Sequence, residues 1–177
     1  MPRGFLSPSQ IAELQNFPEV LDYTTLVTFF TLTESDFNLI PQRSSRVNRL
    51  AFAIQLCALR YIGFFPKNIY QCPSEIIIFL NSQLNFSLSI DLKGYALRPQ
   101  TQSDHIKMIE SHLGFKPADK DYKTTLQNWA TKRSHEHDKP NFLLGLISEK
   151  MKHDKVTRLA VWELEDIISN ARERARL

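Results

Sequence analysis

Apolar residues recur at three- and four-residue intervals along almost the whole chain, and alternation at period two is scarce. A segment patterned in this way hides its apolar stripe only as a helix packed on other helices, so the sequence predicts an all-α protein. Proline, glycine and capping residues punctuate the pattern. Ser7 ahead of Pro8 has the form of an N-cap followed by proline at the first helical position, predicting a helix from about Pro8 to Asn16 that Pro18 stops. Asp22 caps a second helix through Leu26, Phe29 and Phe30, and Thr33 with Asp36 three residues on opens a third toward Ile40. The longest helix is expected from about Ser45 to Ile62, ended by Gly63, which takes the left-handed conformation a C-cap needs. Val47, Leu50, Ala51, Ile54, Cys57, Ala58 and Tyr61 form its broad apolar arc. Asn48, Arg49, Gln55 and Arg60 share the remaining arc with Phe52, Leu56 and Leu59. Only a narrow stripe with Arg49 and Arg60, about 16 Å apart along the axis, is left to reach a partner.

Pro73 starts another helix, with Ile76, Ile77, Phe79, Leu80 and Leu84 as its buried side. Three consecutive isoleucines also favour a strand, but Pro73, Glu75 and the polar Asn81 to Gln83 fit a helix start and continuation. A short turn around Ile90 to Ala96 leads to Arg98, and Thr101 with Asp104 begins a helix ending at Gly114. Helix, polar connection and a second helix with polar side chains on its first turn is the ordering of a helix-turn-helix. Lys116 to Asp121 is a polar break containing Pro117. It is followed by a helix through Tyr122, Leu126 and Trp129, the hydrophilic stretch Lys132 to Pro140, a helix beginning at Phe142, and a last helix from about Val161. The expected division is therefore a helical unit over residues 1–115 and a smaller helical lobe over 116–177.

Most catalytic classes lack their apparatus. The 177 residues contain no Gly-rich phosphate loop, no Gly-x-Ser-x-Gly elbow and no CxxC pair. Cys57 and Cys72 make neither a disulfide framework nor a zinc knuckle, and are expected to be reduced and structural. His135, Glu136, His137 and Asp138 are consecutive on what reads as a polar linker, without the rigid frame a metal needs. His105 and His112 share a helical face but stand about 10 Å apart, too wide for one ion. Glu163, Glu165 and Asp166 near a helix start, with Arg172, Arg174 and Arg176 at its end, answer to the helix dipole. No catalytic residue, cofactor or metal is expected. No apolar run reaches bilayer length and no signal peptide opens the sequence, so an intracellular protein without membrane contact is expected.

Binding remains, and the charge distribution directs attention to one stretch. Residues 1–36 carry Arg3 against Glu13, Glu19, Asp22, Glu34 and Asp36, whereas Phe37 to Ser74 carries Arg43, Arg46, Arg49, Arg60 and Lys67 and no acid. Such a basic stretch inside a balanced chain is the footprint expected where a phosphate backbone lies, and it serves equally to pair with the acidic first segment. Arg43, Ser44, Ser45, Arg46, Asn48 and Arg49 crowd around a helix start, where backbone N–H groups favour phosphate. A second such start follows Arg98, with Thr101, Gln102, Ser103, His105 and Lys107. Ordinary caps and solvated faces account for the same residues on spacing alone.

The run from Asn48 to Gly63, Asn-Arg-Leu-Ala-Phe-Ala-Ile-Gln-Leu-Cys-Ala-Leu-Arg-Tyr-Ile-Gly, resembles a signature in the N-terminal region of replicative, cointegrate-forming transposases of the Tn-three family. Phe30-Thr31-Leu32-Thr33 with Asp36 is similar to the stretch upstream of it. Tyr95, Arg98, Thr101, His105 and Gly114-Phe115 follow in the family's order, and Trp129-Ala130 and Ala171 to Ala175 resemble its later part. Ala51 stands where glycine is usual and Gln102 where arginine is common. The resemblance implies a segment that recognises terminal inverted repeats, whose RNase H-like catalytic domain lies elsewhere, in a cytoplasmic, nucleoid-associated bacterial protein. The expected partners are double-stranded transposon ends and the rest of the transposase or a second subunit. The expected contacts are Arg43, Arg46, Lys67, Arg98 and Lys107 to phosphate and some of Asn48, Arg49, Gln102 and His105 to bases. Arg60, within the signature, and Thr101 complete the candidate set, and the C-terminal lobe is a candidate second DNA-binding subdomain. The alternative is a helical protein-interaction module anchored by Phe64, Phe65, Tyr70 and Trp162.

Overall fold

The long central helix is the organising element of the computed structural model, which describes residues 4–19, 21–87, 90–95 and 98–177. Ser45 Oγ accepts the Asn48 amide at its start, and Gly63 closes it at φ 76° with its N–H on the Leu59 carbonyl. This helix, Arg46–Ile62, is α4. Before it come α1 (Pro8–Gln15), α2 (Tyr23–Phe30) and α3 (Glu34–Leu39), and after it α5 (Ser74–Leu84), α6 (Pro99–Leu113), α7 (Lys120–Glu136), α8 (Pro140–His153) and α9 (Val161–Ala175). Among the described residues the fold is all-α, and the only β pairing is the isolated bridge between Lys116 and Val156.

Most boundaries follow the expected caps. The Asp22 carboxylate accepts the Thr25 amide, and Thr33 and Asp36 form a reciprocal capping box. Three boundaries differ. α8 begins at Pro140, two residues before Phe142, with proline at its first position. α6 begins at Pro99, two residues before Thr101, because proline at the first position is already set to the helical φ and needs no hydroxyl cap. α7 runs on to Glu136, so His135 and Glu136 lie on a helix and only His137 to Lys139 connect to α8. The expected turn around Ile90 to Ala96 is a 3₁₀ turn over Leu92–Gly94, with Ala96 outside the described residues.

The chain divides into two units, Gln15–Gly114 and a second in which the described residues up to Leu14 join Phe115–Leu177. The described residues 4–14 therefore group with the later segment, where the expected division placed them in 1–115. In the Gln15–Gly114 unit α4 is buried on every side from Leu50 to Leu59, Gln55 included. Packing against α2, α5, α6 and the 3₁₀ turns over Ile69–Gln71 and Leu92–Gly94 leaves no outward stripe along its middle. Burying each of Leu50, Phe52, Ile54, Leu56 and Leu59 contributes about 1.5–3 kcal/mol. Phe64, expected as an exposed anchor, is buried where Gly63 turns the chain back on this core, and Phe65 is half-buried.

In the other unit α7 and α9 run parallel: Lys123 Nζ meets Glu163 Oε1 at 2.9 Å, and Gln127 Nε2 donates to the Ile167 carbonyl at 3.1 Å. Leu126, Leu143, Ile147, Met151, Leu164 and Ile168 fill the space they share with α8. Leu6 and Leu14 join this core, and a buried carboxylate fixes the chain ahead of α1. Glu165 Oε1 accepts both the Phe5 and the Leu6 amide at 2.9 Å, while Arg158 Nη2 donates to the Leu14 carbonyl at 2.7 Å. Backbone amides aimed at a buried charge make the stronger class of hydrogen bond. Glu165→Ala is expected to cost about 2–4 kcal/mol and to raise hydrogen exchange selectively at the Phe5 and Leu6 amides. Unchanged protection there would show that the core contacts alone hold the segment.

Candidate nucleic-acid interface

Three side-chain contacts fix how α6 lies on α4. The His105 ring meets Phe52 edge-on at 5.0 Å between centroids. Tyr95 Oη donates to Gln55 Oε1 at 2.7 Å and hydrogen bonds His105 Nδ1 at 2.9 Å. One and a half to two turns further on, His112 Nε2 reaches Asp36 Oδ1 at 2.9 Å, the same carboxylate that Arg60 Nη2 holds at 2.8 and 2.9 Å. Rising residue numbers on α6 therefore meet rising residue numbers on α4. The two helices are parallel, and at 1.5 Å per residue Pro99 stands level with about Arg46.

Both helix starts thus lie at one end of the Gln15–Gly114 unit. Neither has an acidic residue in its first turn to offset the positive end of its dipole. A Cβ added at Gly94 would stand 3.9 Å from Val47 Cγ1, which sets the Leu92–Gly94 turn and its exposed Lys93 beside the first turn of α4. The guanidinium groups of Arg46 and Arg49 lie 6.0 and 5.1 Å from the centre of the Phe86 ring. Gln42 connects this corner to the core: its Nε2 donates to the Phe37 and Ile40 carbonyls and its Oε1 accepts from Arg49 Nη2 at 3.2 Å. Arg49 Nε is buried without a hydrogen-bond partner.

Of the expected contact residues, Arg43, Arg46, Lys67, Arg98, Gln102 and Lys107 are exposed, and Asn48, Arg49 and Thr101 are half-buried. Arg46, Asn48 and Arg49 occupy the first turn of α4, and Arg98, Thr101 and Gln102 the start of α6, so these six share the end of the unit described above. Two exposed acids stand near this face: Asp104 accepts from Gln100 Nε2 at 2.7 Å, and Asp91, at the start of the 3₁₀ turn, accepts the Lys93 amide at 3.0 Å. Two candidates face inward. His105 is buried against Phe52 and Tyr95, and burial holds its pKa below the ordinary histidine value. Arg60 lies at the opposite end of α4, spent on Asp36. Phe86, Lys93 and Gln42 were not among the expected residues; Phe86 and Lys93 come from segments far in sequence from α4, so no local spacing marks them, whereas Gln42 stands four residues ahead of α4 and is drawn in by its bonds to the Phe37 and Ile40 carbonyls and to Arg49.

Asp36 is the charge on which that opposite end is built. Burial raises its pKa, but the Thr33 amide, His112 and Arg60 outweigh this and hold the carboxyl below its ordinary range. Among the described residues no group of three His, Cys, Asp or Glu side chains is arranged to hold a metal ion, and no helix is long and apolar enough to cross a membrane. The other unit has its own open cleft of about 390 Å³ between α7 and α9, beside Trp162, which is 63% exposed.

The protein is an all-helical, two-unit chain with one acid-poor, arginine-bearing end. It belongs to the family described as "Domain of unknown function (DUF4158)", which matches residues 5–171. It is 29% identical over 176 residues to the transposase for transposon Tn501 of Pseudomonas aeruginosa, covering 99% of this chain and 18% of that protein. It is 27% identical over 177 residues to the transposase for transposon gamma-delta of Escherichia coli K12, covering 99% and 18%. With the transposase for transposon Tn1546 of Enterococcus faecium it shares 35% over 113 residues, 64% of this chain and 11% of that protein. The chain spans less than a fifth of the length of these curated relatives.

The two ends of α4 should respond differently to mutation. Arg60→Ala leaves Asp36 short of a partner and is expected to destabilise the unit by about 2–4 kcal/mol, whereas Arg46→Ala, at the exposed end, changes stability by less than about 0.5 kcal/mol. Urea unfolding followed by amide exchange in α4 checks both. Stability should also depend on pH in two windows. His105 has a lowered folded pKa, so the unfolded chain takes up its proton first and stability falls as pH drops below about 6.5. Asp36, lowered from 3.8, contributes stability that is lost as pH falls further through its folded value. His105→Gln should remove the first window and keep the second.

Proposed function

We propose that this chain is the DNA-binding module of a transposase, recognising the terminal inverted repeats of a transposon and bringing the transposase to them. The observation that carries the reading is the parallel alignment of α4 and α6, which turns two acid-free helix starts and Arg46, Arg49 and Arg98 toward one side. Duplex DNA offers regularly spaced phosphates to such a face, and backbone amides at a helix start together with guanidinium groups are the donors that phosphate takes. Arg43, Arg46, Arg98 and Lys107 supply sequence-independent contacts, with Lys67 extending them. α6 presents Gln102 and Thr101 for reading base edges, in the role of a recognition helix. The names of the relatives support the same assignment. The second unit, with its α7–α9 cleft and exposed Trp162, adds either further DNA contact or docking of the remaining transposase or a second subunit.

On this reading the chain positions DNA and uses no catalytic residue, metal or cofactor of its own, in the bacterial cytoplasm on the nucleoid. Fluorescence anisotropy against the terminal repeat and a scrambled duplex, across a salt series, tests it. Preference for the repeat near physiological salt is expected. Arg46→Ala should weaken binding to both duplexes and reduce the salt slope by about one, and Gln102→Ala should cost discrimination more than affinity. A folded protein that binds neither duplex at low salt would instead be an interaction module.

A further inference from the structure

Arg46 and Arg49 share the first turn of α4, and both guanidinium groups lie over the Phe86 ring, yet they differ in freedom. Arg46 is exposed, whereas Arg49 is half-buried and held on two sides. Arg49 Nη2 donates to Gln42 Oε1 at 3.2 Å, its guanidinium stands 5.1 Å from the Phe86 ring centre, and its Nε is buried without a hydrogen-bond partner. Both holders are themselves fixed by helix ends. Gln42 Nε2 donates to the Phe37 and Ile40 carbonyls at 3.0 and 3.2 Å, acceptors left over where α3 stops. With its NH₂ committed to two carbonyls, the amide presents its oxygen to Arg49. Phe86 follows Asn85, which ends α5 in the left-handed conformation at φ 58°, and the Phe86 N–H returns to the Asn81 carbonyl at 3.0 Å. The position of the ring is set by that cap.

A guanidinium is a planar fork, with Nε and Nη2 along one edge and Nη1 and Nη2 along another. In Arg49 the first edge faces the protein, since Nε is buried and Nη2 is on Gln42. The second edge keeps Nη1 and the other hydrogen of Nη2, in a direction that amide and ring have already fixed. Donors fixed before binding lose little freedom on binding, and two parallel N–H groups match O6 and N7 of guanine in the major groove. Phosphate takes the same fork, but its oxygens can be met from many directions, which suits the freer Arg46. We infer that Gln42 and Phe86 are positioning residues that make Arg49 a specificity determinant, its fork set to read one guanine of the bound duplex. The inference rests on the DNA-binding reading and adds to it a base and the residues that aim the contact.

The test selects duplexes with a randomised centre on the full chain and sequences the bound fraction. Wild type is expected to enrich a guanine at one position, and Arg49→Lys, which keeps the charge and removes the fork, should lose that preference and keep the others. Gln42→Ala and Phe86→Leu should flatten the same position, and Gln42→Ala added to Arg49→Lys should change nothing further. On the selected duplex, 7-deazaguanine at that position, which lacks the N7 acceptor, should weaken wild type about five- to tenfold and leave Arg49→Lys unaltered. Retention of the guanine preference in Arg49→Lys, with a salt slope that Arg49→Ala lowers by about one, would make Arg49 a phosphate contact and overturn the inference. So would a loss of affinity in Gln42→Ala spread evenly over all positions, the result of a merely structural role. Both outcomes leave the DNA-binding reading standing, whereas a folded chain that binds no duplex at low salt would remove that reading and this one together.

Discussion

A single buried carboxylate ties together the elements that give the larger helical unit its shape. Asp36 is 1% exposed and is held from three directions: by the Thr33 amide on its own helix start, by Arg60 near the end of α4 and by His112 near the end of α6. Taking that charge out of water is expensive unless all its acceptor sites are used. The arrangement is therefore all-or-none: α3, α4 and α6 reach the same point together or the charge is left bare. Geometry at the far end follows from it. With the ends of α4 and α6 pinned to one carboxylate, and their middles joined through Phe52, Gln55, Tyr95 and His105, the starts of both helices must also lie together.

This separates the basic residues of the acid-free stretch into two kinds. Arg60 neutralises a buried acid and is structural, whereas Arg46 and Arg49 sit where dipole, Phe86 and solvent meet, with hydrogen-bonding capacity remaining. The distinction matters for any nucleic-acid contact, because a guanidinium committed to a buried carboxylate has little to offer a phosphate. It also explains how a chain with a formal net charge of only +3 concentrates cationic surface locally. The first turns of α4 and α6 carry no acid, and Asp36 takes up Arg60 inside the fold, so the arginines at the other end of α4 are left without an acidic partner in those turns.

Local chemistry made much of this legible. Asp22, Ser45, Gly63 and Gly114 act as sequence rules require, because a cap is an interaction within one turn. The same rules fixed the helical character of Ile76 to Leu80 despite the β-branched run. Less legible were features in which distant segments compete for one side chain. Arg49 and Arg60 share a helical face by spacing, yet one turns toward Gln42 and Phe86 and the other toward Asp36. His105 reads as a polar residue on the first turns of a helix near the basic stretch, and is instead buried against Phe52. The first fourteen positions gave no sign that Glu165, far along the chain, would accept two of their amides.

Period and capping, then, settled by themselves that the chain is helical and where most of its helices begin and end, because these depend on neighbours within four residues. The run from Asn48 to Gly63 carries the family resemblance in the sequence itself, in agreement with the family match over residues 5–171. Tertiary structure alone decided the parallel pairing of α4 with α6 and the sorting of arginines into braces and exposed donors. Each of these turns on which side chains meet across long stretches of chain, and that choice is made by buried charge and shape together, which no local pattern records.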